Sequence, residues 1–117
     1  VVDDEAAIRA VASEILGTLG FDVITAEDGL EAVQMFQQRH PEIRLVLLDL
    51  TMPRLDGFEA LQQMKALRPD VCVILSSGFA EQGLERRIHP GSVAGFLAKP
   101  YRVQDLITAV KAALDPG

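Results

Sequence analysis

The chain has 117 residues, of which 49% are hydrophobic and 24% charged, the size and balance of one globular domain. Seventeen acidic against eleven basic side chains leave a net charge of −6, which disfavours nonspecific nucleic-acid binding and anionic membrane surfaces. One cysteine excludes an internal disulfide framework and a multi-cysteine zinc site, and no apolar run approaches the ~20 residues of a transmembrane helix.

In chain order, Val1-Val2 ahead of Asp3-Asp4 reads as the tail of a strand. Strands average ~5–6 residues, so the first strand is expected to be truncated and the chain a piece of a longer polypeptide. Ala6, Ile8, Val11, Ala12, Ile15, Leu16 and Leu19 recur at helical spacing, and Gly20 closes the segment. Phe21-Asp22-Val23-Ile24-Thr25 is short and β-branched, a second strand. Asp28 is placed to cap a helix carrying Leu30, Ala32, Val33 and Phe36, which ends before Pro41. Leu45-Val46-Leu47-Leu48 is continuously apolar, as in a strand covered on both faces.

After it, Asp49 to Gly57 reads as a loop with Pro53 and Asp56-Gly57 as breakers. Phe58, Ala60, Leu61, Met64 and Leu67 give a third helix, stopped at Arg68-Pro69. Val71-Cys72-Val73-Ile74-Leu75 is a fourth strand, in which Cys72 is expected to be a buried small hydrophobe. A weak helix over about 80–88, ended by Pro90, precedes a short fifth strand at Ala94-Gly95-Phe96-Leu97. Residues 103–114 form a last helix with Leu106, Ile107, Val110 and Leu114 on one face. Five strands and five helices in strict alternation imply right-handed crossovers and a parallel α/β sheet covered on both faces.

In such a sheet, ligands bind beyond the carboxyl ends of the strands. There the sequence places Asp3, Asp4 and Glu5, then Asp49, then Ser76 and Ser77, then Lys99 and Pro100. Crowded carboxylates need a cation among them, and oxygen donors without His or Cys favour Mg²⁺ over Zn²⁺. Mg²⁺, an ammonium and a hydroxyl facing an Asp suit phosphoryl transfer, with the Asp itself able to act as nucleophile. Each residue alone has a plainer reading: a surface acid, a loop cap, a turn serine, a solvated lysine. Their placement at one sheet edge outweighs those readings. His40, His89 and the Arg86-Arg87 pair lie away from this edge and are assigned no chemistry.

The ordered set Val1-Val2-Asp3-Asp4-Glu5, Ala26-Glu27-Asp28-Gly29, Leu47-Leu48-Asp49-Leu50-Thr51-Met52-Pro53, Asp56-Gly57, Ile74-Leu75-Ser76-Ser77-Gly78 and Phe96-Leu97-Ala98-Lys99-Pro100 resembles the receiver domain of two-component response regulators. The resemblance spans nearly the whole chain, read as a single domain over 1–117. It implies a flavodoxin-like (βα)5 doubly wound fold with strand order 2-1-3-4-5. It also implies that Asp49 is the phosphoryl acceptor. Asp3, Asp4 and Asp49, with the main-chain carbonyl of Thr51, would hold Mg²⁺. Ser77 would bind the phosphoryl group, Lys99 would pair with its oxygens, and the Lys99–Pro100 bond would be cis. Ser77 and Phe96 would form the switch that relays phosphorylation to the face of the fourth helix, fifth strand and fifth helix. The phosphodonor would be a histidine kinase or a histidine phosphotransfer domain, with an output domain or partner downstream.

The wording around Ser77 and Lys99 is similar to receivers of hybrid sensor histidine kinases, and a separate response regulator is the alternative parent. The expected setting is cytoplasmic, with no nucleic acid or membrane contact by this domain and an oligomeric state between monomer and weak dimer. Three other classes fit less well. A Mg²⁺-dependent phosphatase with an Asp nucleophile wants a second Asp two residues on, where Thr51 stands. A flavodoxin-like cofactor binder wants a phosphate loop where Asp3-Asp4-Glu5 would repel it. A binding domain without phosphotransfer would have no need of the full acidic set with Ser77 and Lys99.

Overall fold

The computed structural model describes residues 1–50, 57–77 and 93–114. Three parallel strands, β1 (Val46–Asp49), β2 (Val73–Ser77) and β3 (Gly95–Ala98), form a sheet in that order. The register pairs Leu48 with Leu75, and Leu75 with Phe96. Between β1 and the Ile24–Ala26 backbone lies the start of the chain. Val2 N donates to Leu47 O, Asp49 N to Val2 O, and Asp3 N to Ala26 O, all within 3.2 Å. Val2 thus bridges in parallel to Ala26 on one side and Leu48 on the other. The spatial order is therefore the expected 2-1-3-4-5, although the first two members are single bridges and not full strands. Phe21 to Thr25, expected as the second strand, carry no regular strand of their own.

Helices α1 (Ala6–Thr18) and α4 (Val103–Leu114) cover one face, and α2 (Gly29–Arg39) and α3 (Gly57–Leu67) the other. The alternation of the strands explains this division. Leu47, Ile74 and Leu97 pack with Ala12, Ile15, Leu16, Leu106 and Val110. Val46, Leu48, Val73 and Leu75 pack with Val33, Phe36, Ala60, Leu61 and Met64. Every residue of β1 and β2 is buried, which is why their sequences are apolar without alternating. Asp28 caps α2 as expected, its Oδ1 accepting from Glu31 N at 2.9 Å. A short 3-10 turn, His40–Glu42, carries the chain out of α2 through Pro41.

The structure corrects the sequence reading in three respects. The strands begin and end one or two residues later than expected, because ladder bonds such as Leu50 N to Ser76 O and Lys99 N to Ser77 O run past the apolar runs. Asp49, Ser76 and Ser77 therefore sit on the last strand residues and not in the following loops. Cys72 consequently falls ahead of β2, half-buried, with its thiol donating to Ala113 O at 3.5 Å. Burial pushes that thiol upward in pKa against the opposing charges of Lys65 and Arg68. Finally, Val11, Leu19, Leu30 and Leu67 belong to the apolar helical patterns yet are exposed, because a helix lying on a sheet buries one stripe only. The expected helix over 80–88 lies outside the described residues.

Leu75 lies on the middle strand with no exposure, so Leu75→Ala is expected to lower unfolding free energy by about 2–5 kcal/mol. Leu30→Ala, on an exposed helix position, is expected to stay within about 0.5 kcal/mol of the parent. Urea unfolding of the two variants checks both, and similar losses would contradict the assigned burial.

Candidate functional site

The carboxyl edge of the sheet gathers the expected residues. Asp3 follows the central bridge, Asp49 ends β1, Ser77 ends β2, and Lys99 follows β3. Asp3 and Asp49 are buried, with 2% and 4% exposure, while Asp4 is exposed. Carboxylate oxygens of Asp3, Asp4 and Asp49 all lie within 4.8 Å of one another. The Lys99 ammonium stands 2.7 Å from Asp3 Oδ2 and 3.2 Å from Asp49 Oδ2. Lys99 reaches this position from a backbone bonded to Ser77 O, and the Lys99–Pro100 bond is cis, as the resemblance implies.

Asp3 is held at several points. Its Oδ1 accepts from Glu5 N at 2.9 Å, a local turn that also starts α1, and its Oδ2 faces Lys99. Arg9, one turn into α1, donates to the Asp3 carbonyl at 2.8 Å and lies 3.8 Å from Glu27. Sequence reasoning missed Arg9. The available signal was a lone cation on the first turns of a helix that opens beside three acids. Glu5 is the N-cap residue of α1 without a side-chain cap bond. Ser76 and Ser77 are both buried at the end of β2, and strand alternation sends their side chains to opposite faces. Phe96 is 45% exposed on β3, outside the packed core. Thr51 lies outside the described residues.

Electrostatics ties the group together. Burial alone would pull the Lys99 ammonium down in pKa, but the hydrogen bonds and charges of Asp3 and Asp49 outweigh it and hold it up. The stabilisation this gives is fully present below the ordinary lysine value of ~10.4 and is lost only as pH rises through the higher native value. Among the described residues, three carboxylates against one ammonium leave the cluster two negative charges in excess. That excess is the complement of a divalent cation.

The family model of the response regulator receiver domain matches residues 1–111. This chain belongs to that family. A chemotaxis protein CheY of Listeria monocytogenes is 35% identical over 97% of this receiver domain and 94% of its own length. The sensor kinase CckA of Brucella abortus is 33% identical over 98% of the receiver domain, which spans only 12% of that kinase. Among solved structures, a chain of the CheX–CheY–BeF3–Mg²⁺ complex from Borrelia burgdorferi superposes with a TM-score of 0.89 at 29% identity, covering 97% of the receiver domain and 86% of that chain. The receiver domain is thus a module of two-component signalling. No helix among its described residues is long and apolar enough to cross a membrane.

The donor set fits a hard divalent ion: three carboxylates converge, with no sulfur or imidazole donor in the cluster among the described residues. Tyr101 reports on this charge. Its buried hydroxyl has no hydrogen-bond partner among the described residues, and burial, then the charges of Asp3 and Asp49, push it up to about 12, with Lys99 opposing. It is the one tyrosine of the sequence, which has no tryptophan, so ultraviolet titration reads it directly. The native receiver domain is expected to titrate near 12, above the ordinary 10.0. Asp3→Asn is expected to lower the midpoint, and Lys99→Met to raise it. A native midpoint at the ordinary value would contradict the assigned surroundings.

Proposed function

We propose that this receiver domain is a Mg²⁺-dependent phosphoryl acceptor that takes PO₃ from a phosphohistidine onto Asp49. The observation that carries the reading is the Lys99 ammonium 3.2 Å from Asp49 Oδ2, inside a ring of carboxylates within 4.8 Å of one another. Asp4 and Asp49, with Asp3 and the Thr51 carbonyl, are the residues that would hold the ion. Bound there, Mg²⁺ supplies positive charge to the oxygens of the transferring group.

The chain's own groups do the rest. A carboxylate oxygen of Asp49 attacks phosphorus in line with the leaving imidazole. The new O–P bond forms as the P–N bond breaks, and the electron pair returns to the imidazole nitrogen. Lys99 leaves its carboxylate partners to pair with phosphoryl oxygens, where a preorganised ammonium stabilises spreading negative charge. Ser77, at the end of the neighbouring strand, donates its hydroxyl to the same group. The product is a mixed anhydride on Asp49, which water later hydrolyses.

Phosphorylation then biases a two-state switch. Ser77 is drawn toward the phosphoryl group, and the half-exposed Phe96 turns into the space released. The face so altered comprises β3, α4 and the segment preceding β3. A histidine kinase or histidine phosphotransfer domain is the donor. The Borrelia CheX–CheY complex contains BeF3 and Mg²⁺, in keeping with an acceptor of this kind. The relatives include a domain within a sensor kinase and a CheY of nearly this length. Their likeness favours neither a hybrid kinase nor a separate regulator as the parent.

Incubation with acetyl phosphate, followed by intact mass, tests the acceptor. One phosphoryl adduct is expected with Mg²⁺ and none in excess chelator or in Asp49→Asn. Lys99→Met is expected to slow labelling by about 10²-fold, the usual scale for losing one preorganised charge-stabilising group. Undiminished labelling of Asp49→Asn would rule the assignment out.

A further inference from the structure

We infer that Gly57 is a positioning residue for Asp49: the first residue of α3 abuts the acceptor's main chain so closely that only a hydrogen fits, and this contact fixes where the carboxylate stands. The inference rests on the reading of Asp49 as the phosphoryl acceptor. A Cβ at position 57 would lie 2.3 Å from Asp49 O, 2.6 Å from Leu50 Cα and 2.9 Å from Leu50 O. All three are backbone atoms, so none can rotate away. Carbon contacts settle at ~3.5–4.0 Å, so an added methyl group must drive α3 and the end of β1 apart by about 1 Å. The requirement is for space and not for a left-handed conformation, since Gly20 is the glycine with positive φ among the described residues. Gly17, Gly20 and Gly95 would meet nothing within 4 Å.

The contact is also bonded. Gly57 N donates to Leu50 O at 2.9 Å, closing the chain between β1 and α3 directly behind the acceptor. On the other side, Asp49 N donates to Val2 O at 3.0 Å, and the side chain faces Lys99. Asp49 is therefore clamped between the central bridge and α3. In-line attack is sensitive to such placement, and a displacement of ~1 Å at a reacting group costs on the order of 10²-fold in rate.

The test compares Gly57→Ala with Gly95→Ala and Gly17→Ala, with acetyl phosphate and Mg²⁺ as probes. Each variant's folded fraction is measured by circular dichroism, labelling rate by intact mass and Mg²⁺ affinity by calorimetry. Expected for Gly57→Ala is a rate per folded molecule about 100-fold below the parent and weaker Mg²⁺ binding, with label still on Asp49. The other two glycine variants are expected to match the parent. A merely structural role would lower the melting temperature but leave rate and affinity per folded molecule unchanged, and that result overturns the inference.

Should alanine prevent folding, glycolic acid at position 57, introduced by ligation, decides the matter. It removes the amide proton that Leu50 O accepts and adds no side chain. A lowered rate in this folded variant supports the clamp, and a parental rate refutes it. Failure of the parent chain to label at Asp49 would instead refute the acceptor reading, before position 57 enters.

Discussion

An ammonium shared between two buried carboxylates is the interaction on which the rest of this structure turns. Asp3 and Asp49 lie on neighbouring sheet members, close enough that their like charges repel, and both are shielded from water. Removing one partner of a buried pair leaves an uncompensated charge, which is costly. Lys99 must therefore arrive at this point, and the third strand of the sheet must end where it does. The pocket still carries more negative than positive charge once Lys99 is in place, an imbalance in the direction that attracts a cation.

The fold supplies this arrangement through register. Parallel pairing brings Asp49 level with Ser76, and Ser77 level with Ala98, so that Lys99 follows one residue later. Each functional group is thus delivered by a main-chain bond to its neighbour: Asp49 N to Val2 O, Leu50 N to Ser76 O, Lys99 N to Ser77 O. The apolar residues behind them, Leu48 and Leu75 on one face and Leu47 and Ile74 on the other, bury the strands on both sides. The edge is consequently braced from below by packed strands, and preorganised charge acts most strongly where its groups are held in place.

Much of this was legible in the sequence because the chemistry stands next to the pattern. Asp49 and Ser77 stand at the ends of apolar runs that read as buried strands, Lys99 follows a short apolar strand, and Asp28 sits where a cap belongs. What escaped was tertiary. The strand ends were misplaced by a residue or two because backbone pairing does not stop when hydrophobicity does. Val11, Leu19, Leu30 and Leu67 looked like core because periodicity marks a face without saying how much of it a sheet will cover. Arg9 went unread, because its acceptor is a main-chain carbonyl six residues earlier, and carbonyls leave no mark in a sequence. Gly57 read as a turn residue, whereas its neighbours show that it is there for close approach.

The convergence of the carboxylates of Asp3, Asp4 and Asp49 upon one divalent ion is the claim that matters most. It is tested most directly by anomalous diffraction from crystals soaked in Mn²⁺ as a substitute for Mg²⁺. The account predicts a single strong peak at the carboxyl edge of the sheet, bounded by the Asp4 and Asp49 carboxylates with the Lys99 ammonium alongside. Carboxyl groups of these three residues turned away from one another, or a peak elsewhere with none at this edge, would contradict it.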